Sequence, residues 1–187
     1  QNLLFSATLN DDIRTIHQLL LHDPVIIKIE SQEENIDLIQ QSSYTIAAEK
    51  KGPLLRYLIK SKEMTQVLVF TSSVARAERV AEKLRKNGID AKAIHSKKTQ
   101  GVRTDLLISF KEGRLQVLVA TDLLSRGIDI EFLPFVINYE LPRSPKIFIH
   151  RIGRTGRAER PGEAITLISP DEEQHFRVIE KKIKKRV

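Results

Sequence analysis

Short apolar runs alternate with amphipathic stretches along most of the chain. Compact runs rich in Val, Ile and other apolar residues predict strands, and stretches with apolar residues three or four positions apart predict helices. The predicted strands are 25–29, 44–48, 67–70, 91–95, 117–120, 135–138 and 164–168. One helix is predicted to begin after the capping residues at 8–12. The other predicted helices cover 53–59, 72–88, 100–110, 145–151 and 171–185.

The alternation of strands with helices indicates an α/β fold. It predicts a mainly parallel central sheet with helices on both faces, because parallel strands need a crossover that is usually helical. The run VLVA at 117–120 is continuously apolar, as expected of a strand buried on both faces. Such sheets bind ligands at the carboxyl ends of their strands, so the residues just after each run are candidates for a site.

The polar segment from Ser31 to Gln41 interrupts this regular pattern. It is rich in Glu, Gln and Asn and has no core pattern. We interpret it as a linker between an N-terminal piece and the rest of the chain.

Composition and charge narrow the possible functions. The 187 residues include no Cys, which excludes disulfide scaffolds, thiol catalysis and cysteine metal sites, and no His spacing is typical of a metal site. No apolar run approaches the length of a membrane span, and no signal peptide is predicted. The net charge of +7 indicates a polyanionic partner, although the basic end EKKIKKRV is equally compatible with a solvated helix end.

The densest signal for chemistry is the segment HRIGRTGR at 150–157. Arg151, Arg154 and Arg157 are three residues apart, and Gly153 and Gly156 lie between them. A simple exposed helix face would not contain two Gly, each of which costs about 1 kcal/mol relative to Ala in a helix. Arg makes bidentate contacts with phosphate, so the segment predicts a phosphate-binding loop.

Two further segments follow predicted strands. In VATDLLSRGID, Thr121 ends a strand, Arg126 and Gly127 form a basic turn, and Asp129 is an acceptor suited to a sugar hydroxyl pair. Alone, this segment could equally be a helix cap and a structural turn. In QGVR, Arg103 at a helix start could reach a phosphate, but such a residue is often merely exposed.

Taken together, the segments resemble a known family. LLFSATL, VLVFTSS, QGVR, VATDLLSRGID and HRIGRTGR occur in the order and at about the spacing of the later motifs of DEAD-box RNA helicases. The resemblance covers nearly the whole chain and implies a RecA-like three-layer α/β/α fold. It further implies that residues 1–30 end a first RecA-like domain, that 31–41 are the linker, and that 42–187 form the second RecA-like domain.

The resemblance also implies roles in ATP hydrolysis. Arg154 and Arg157 match arginine fingers that stabilise charge on the γ-phosphate, and His150 matches the residue that links this loop to the first domain. Asp129 matches the acid that holds the ATP ribose. The chain has no phosphate loop and no acidic Mg²⁺ motif, so Mg²⁺ bound with ATP would be held mainly by the first domain, with no metal site here.

Other matched positions imply contacts with RNA and coupling. The RNA-backbone contacts are Arg103, Thr121, Arg126 and Gly127. Ser6 and Thr8 match the segment that couples hydrolysis to strand separation. Small departures from the family pattern occur at Ser96, Ser125 and Glu140.

These matches imply the C-terminal half of an intracellular, cytoplasmic ATP-dependent RNA helicase. Alone, it is expected to be monomeric, to lack ATPase activity and to bind no membrane. Its partners would be RNA and the first domain of the same parent chain. The alternative is a non-catalytic RNA-binding or partner-docking module on the same fold, and the presence of Asp129, Arg154 and Arg157 favours the enzyme.

Overall fold

The computed structural model describes residues 25, 27, 39–122, 130, 132–156 and 162–187. The chain divides into two compact units, residues 1–33 and 34–187, and the description below concerns the second. None of the helices in these described ranges is long and apolar enough to cross a membrane.

The described residues form six strands and five α-helices. The strands are β1 Ile39–Thr45, β2 Val67–Thr71, β3 Ala91–Ile94, β4 Val117–Thr121, β5 Phe135–Asn138 and β6 Gly162–Ile168. The helices are α1 Lys51–Ser61, α2 Val74–Arg85, α3 Gln100–Lys111, α4 Pro145–Ile152 and α5 Glu173–Ile183. Two short 3₁₀ turns, Ala48–Lys50 and Pro170–Glu172, precede α1 and α5.

All described strand pairs are parallel, in the order β1-β6-β5-β2-β4-β3. Alternate residues of β2 enter different cores, because successive side chains of a strand point to opposite faces. Val67 and Val69 pack with α1 and α2, whereas Leu68 and Phe70 pack with α3. Helices α4 and α5 cover the α3 face beside β6. The predicted three-layer α/β/α fold is therefore confirmed.

Strand β1 differs from its prediction. It runs from Ile39 to Thr45 rather than over 44–48, and it begins inside the segment interpreted as a linker. Only Ile39 of its residues is fully buried. Because β1 is at the edge of the sheet and largely accessible to solvent, backbone pairing can hold it without many apolar side chains. All seven of its residues pair with β6. The division into domain remnant, linker and second domain stays a prediction.

The final helix is shorter than predicted. Helix α5 ends at Ile183, because Lys184 adopts a left-handed conformation with φ of +54°. The chain then turns back, and the Val187 amide donates to Glu180 Oε1 at 2.9 Å. Ser43 Oγ of β1 donates to the Val187 carbonyl at 3.0 Å. The basic end is thus joined to the edge of the sheet by its backbone.

Candidate active site at the carboxyl edge of the sheet

The carboxyl ends of the parallel strands meet at one edge of the sheet. Thr71 ends β2, His95 follows β3, Thr121 ends β4, and Asn138 ends β5. The sequence placed candidates at these strand ends, and the parallel register brings them to the same edge. Helix α4 contacts this edge through Arg151 and contains His150–Ile152 of the basic segment, while Gly153 and Arg154 follow its end.

Arg151 fixes α4 to the ends of three strands. Its side chain is completely buried. Nε donates to Asp122 Oδ1 at 2.6 Å, and Nη1 donates to Asn138 Oδ1 at 3.1 Å and to the Glu140 carbonyl at 2.7 Å. The guanidinium also lies over the Phe70 ring, 5.1 Å from its centroid. One side chain therefore joins β2, β4, β5 and α4.

This position corrects the sequence interpretation of Arg151. The spacing grouped it with two arginines suited to phosphate, but the structure turns it into the protein interior. Burial lowers the pKa of its guanidinium, and the hydrogen bond and charge of Asp122 oppose that shift. Nε and Nη1 are paired in this way, which makes Arg151 a structural anchor, while its buried Nη2 has no partner among the described residues.

His150 and Arg154 lie beside this anchor and are half-buried. Arg154 Nε donates to the His150 carbonyl at 3.2 Å, and the Arg154 carbonyl accepts from the Leu133 amide at 3.0 Å. The next residue, Thr155, forms a parallel bridge with Leu133. The backbone around Arg154 is thus held against Leu133, which lies just before β5.

The two glycines of the basic segment act at the end of α4. Gly153 caps the helix, and Gly156 has φ of +66°, a conformation that favours glycine. Gly162, at the start of β6, packs against the same turn. A Cβ there would lie 1.8 Å from Thr155 Oγ1 and 2.5 Å from the Gly156 nitrogen. Position 162 therefore requires glycine, because any side chain there would overlap the turn that follows Arg154.

Replacing Gly162 by Ala should lower the free energy of unfolding by about 1–3 kcal/mol, because the new methyl group overlaps the backbone of this turn. Urea denaturation measures the loss. Gly101→Ala is the matched control: a Cβ there meets nothing within 4 Å, and Ala in α3 should stabilise by up to about 1 kcal/mol. Equal stability of the two variants would contradict the packing described here.

His95 and Thr121 occupy neighbouring strand ends, because Ile94 and Ala120 are register partners. Both are more than nine-tenths buried. Thr121 Oγ1 has no hydrogen-bond partner among the described residues. His95 Nε2 lies 2.7 Å from Glu78 Oε1 on α2, but its buried Nδ1 is likewise without a described partner.

Glu78 is shared by two basic groups. Lys98 Nζ lies 2.9 Å from the same carboxylate oxygen that contacts His95. Burial raises the pKa of the Glu78 carboxyl, but the hydrogen bonds from His95 and Lys98 outweigh it and leave the pKa lowered. Glu78 is therefore ionised at neutral pH and orients the His95 ring.

Arg103 lies in the first turn of α3, the helix that follows β3. Its Nη1 donates to Gln100 Oε1 at 2.9 Å, while its buried Nε has no partner in the described part of the chain. Three buried side-chain atoms on successive elements therefore lack a hydrogen-bond partner among the described residues: Thr121 Oγ1, His95 Nδ1 and Arg103 Nε. Because buried polar groups in proteins are nearly always hydrogen-bonded, the three atoms point to a polar ligand.

The structure adds a cluster that the sequence did not single out as functional. Glu140 Oε2 accepts from the Ser72 amide at 2.8 Å and from Ser72 Oγ at 2.7 Å. Arg76 Nε lies 3.0 Å from Glu140 Oε1. The sequence signal for this cluster is the position of Glu140, two residues after the end of β5. This cluster fixes the loop between β2 and α2 at the site.

Several predicted site residues lie outside the described residues. They are Ser6, Thr8, Arg126, Gly127, Asp129 and Arg157. Their roles stay predictions. The described residues contain no group of three or more His, Asp or Glu that could hold a metal ion.

Comparison with known proteins agrees with this architecture. The model of the helicase conserved C-terminal domain matches residues 49–159. The chain is 39% identical over its whole length to the ATP-dependent RNA helicase CshA of Listeria monocytogenes, of which it covers 36%. It therefore spans well under half of that relative.

Two solved structures have the same fold. A DEAD box protein from the hyperthermophile Methanococcus jannaschii matches 97% of this chain and 49% of its own, with a TM-score of 0.76 and 36% identity. Dbp5 of S. cerevisiae, bound to RNA and ADP BeF3, matches 95% of this chain and 47% of its own, with a TM-score of 0.77 and 31% identity. The chain belongs to the DEAD-box helicase family, of which it represents the conserved C-terminal domain.

Proposed function

We propose that this chain is the second RecA-like half of an ATP-dependent RNA helicase. Its carboxyl edge would contact the RNA backbone through Arg103 and Thr121, and the end of α4 would present Arg154 to ATP. Family membership supports the enzyme class. The bound RNA and ADP BeF3 of Dbp5 support the two ligands by analogy.

The observation that carries the proposal is the set of unpartnered polar atoms at the strand ends. A hydroxyl, a ring nitrogen and a guanidinium N–H are each buried without a partner among the described residues, on elements that follow or end strands β3 and β4. An RNA backbone offers phosphate oxygens, which accept hydrogen bonds, and 2′-hydroxyls, which both donate and accept. It therefore supplies partners for all three atoms without base recognition.

In this proposal, hydrolysis requires both halves of the parent protein. Arg154 and Arg157 stabilise the charge that develops on the γ-phosphate, while Asp129 holds the ribose. The resemblance to the family assigns the ligands of Mg²⁺ mainly to the first domain. The isolated chain should bind RNA but show no RNA-stimulated ATP turnover.

Replacing Thr121 by Val tests the RNA contact directly. The change removes one hydroxyl and keeps the shape, so affinity for single-stranded RNA should fall about tenfold, as a lost hydrogen bond to a charged group predicts. Stability should stay the same or rise, because the hydroxyl has no described partner to lose. Fluorescence anisotropy and urea denaturation measure the two effects.

Thr45→Val is the control, since Thr45 is exposed at the carboxyl end of the edge strand β1. Its RNA affinity should match that of the wild type. Arg103→Ala should also weaken RNA binding. The slope of log affinity against log salt concentration should become shallower by about 1, because one phosphate contact is lost. Unchanged affinity in both Thr121→Val and Arg103→Ala would refute the assignment of RNA to this edge.

A further inference from the structure

An open groove of about 570 Å³ lies between α1 and Asn87, which follows the end of α2. It is lined by Pro53, Arg56, Tyr57, Lys60, Ser61 and Asn87. None of these residues has a role in the proposed helicase function. The groove therefore needs its own explanation.

The groove is formed by one stripe of α1. Pro53, Arg56, Tyr57 and Lys60 are separated by three, four and seven positions, so they share one side of the helix. The opposite side is buried in the core. Tyr57 is 66% exposed, which leaves a large ring available in the groove. Exposed Tyr and Arg side chains are the residues that most often anchor protein interfaces.

The groove is positively charged. Among the described residues that line it, Arg56, Lys60 and Tyr57 are the ionisable ones, and none is Asp or Glu. Arg56 Nη1 donates to Asn87 Oδ1 across the groove, which holds the guanidinium in place. A fixed Arg, an exposed Lys and an aromatic ring complement a ligand that carries carboxylates next to an apolar group.

The location favours a protein over the RNA of the candidate site. Ser61 precedes β2 and Asn87 precedes β3, so this end of the groove lies at the amino edge of the sheet. It is roughly 18 Å, the length of the twelve-residue α2, from the carboxyl edge. The groove also contains one aromatic ring and two cations. Channels that bind single-stranded nucleic acid have several of each, spaced along the bound strand.

We propose that this groove docks a short acidic segment of a partner protein. An aromatic side chain of that segment packs on Tyr57 and Pro53, and flanking carboxylates pair with Arg56 and Lys60. The interaction is independent of the proposed RNA and ATP contacts. It would recruit the domain to other proteins while its carboxyl edge stays free.

The test uses the 187-residue chain and a labelled peptide of about a dozen residues, composed of Asp, Glu, Gly and two Phe. Fluorescence anisotropy should show saturable binding. Tyr57→Ala and Lys60→Glu should each weaken it at least about tenfold. The matched control Lys181→Glu reverses the charge of an exposed helical Lys on α5 and should change affinity less than about twofold.

Three results would overturn the proposal. The first is no saturable binding of this peptide, and the second is equal weakening by Lys181→Glu, which indicates only long-range charge attraction. The third is displacement of the peptide by oligo(U), together with loss of oligo(U) affinity in Tyr57→Ala, which makes RNA the occupant. Thermal melts followed by circular dichroism establish that each variant is folded, as expected for substitutions of exposed residues.

Discussion

Replacing Arg154 by Ala in the full-length parent protein should lower RNA-stimulated ATP turnover by about 10³-fold or more, the effect of removing an arginine finger from phosphoryl transfer. The structure gives a reason for this residue to be effective. Its backbone is tied to Leu133 and its Nε to the His150 carbonyl, so the guanidinium starts from a fixed position. Groups fixed before the reaction stabilise developing charge without reorganisation.

RNA affinity of the Arg154→Ala protein should change little, since Arg154 is assigned to ATP. Steady-state turnover at saturating ATP and RNA, together with anisotropy of labelled RNA, separates the two effects. Arg143→Ala, an exposed Arg before α4, is the matched control and should retain wild-type turnover. Unchanged turnover in Arg154→Ala would favour the non-catalytic alternative, in which the basic segment serves RNA binding or structure.

Replacing Arg151 by Met should lower the free energy of unfolding by about 3–5 kcal/mol, the usual effect of removing one partner of a buried ion pair. The variant leaves the Asn138 amide oxygen and the Glu140 carbonyl without their donor. It also removes the cation above the Phe70 ring. The loss corresponds to a decrease in melting temperature of roughly 6–20 °C for a domain of this size.

Urea denaturation of Arg151→Met and of Arg143→Met measures this effect against an exposed Arg, for which the change should be under about 0.5 kcal/mol. Asp122→Asn combined with Arg151→Met completes a double-mutant cycle. The cycle should give a substantial coupling energy, because Arg151 Nε and Asp122 Oδ1 are 2.6 Å apart. A loss below about 1 kcal/mol in Arg151→Met would contradict its role as the anchor of α4.

The sequence predicted the central strands well and the edge strand poorly, for a physical reason. Strands β2 and β4 are buried on both faces, so their apolar composition records their environment. Strand β1 is held by backbone pairing with β6, which leaves its sequence polar and close to that of a linker. The end of α5 was missed because a left-handed Lys at 184 has no composition signal.

The candidate site was predictable in position but not in detail. The rule that parallel strands carry ligands at their carboxyl ends placed Thr121 at the edge where it lies. Spacing alone could not predict that Arg151 is buried whereas Arg154 is half-buried. Arg151 is held in the interior by Asp122, 29 residues earlier, and by Asn138, 13 residues earlier. Such partners meet only in the folded sheet.

The claim that RNA binds the carboxyl edge of this sheet is tested most directly by photo-cross-linking. Single-stranded RNA containing 4-thiouracil is irradiated with the 187-residue chain, and cross-linked peptides are identified by mass spectrometry. Cross-links are expected in peptides that contain His95–Arg103 and Thr121, and they should be lost in Arg103→Ala. Cross-links confined to the α1 groove or to α5, with none at the strand ends, would contradict it.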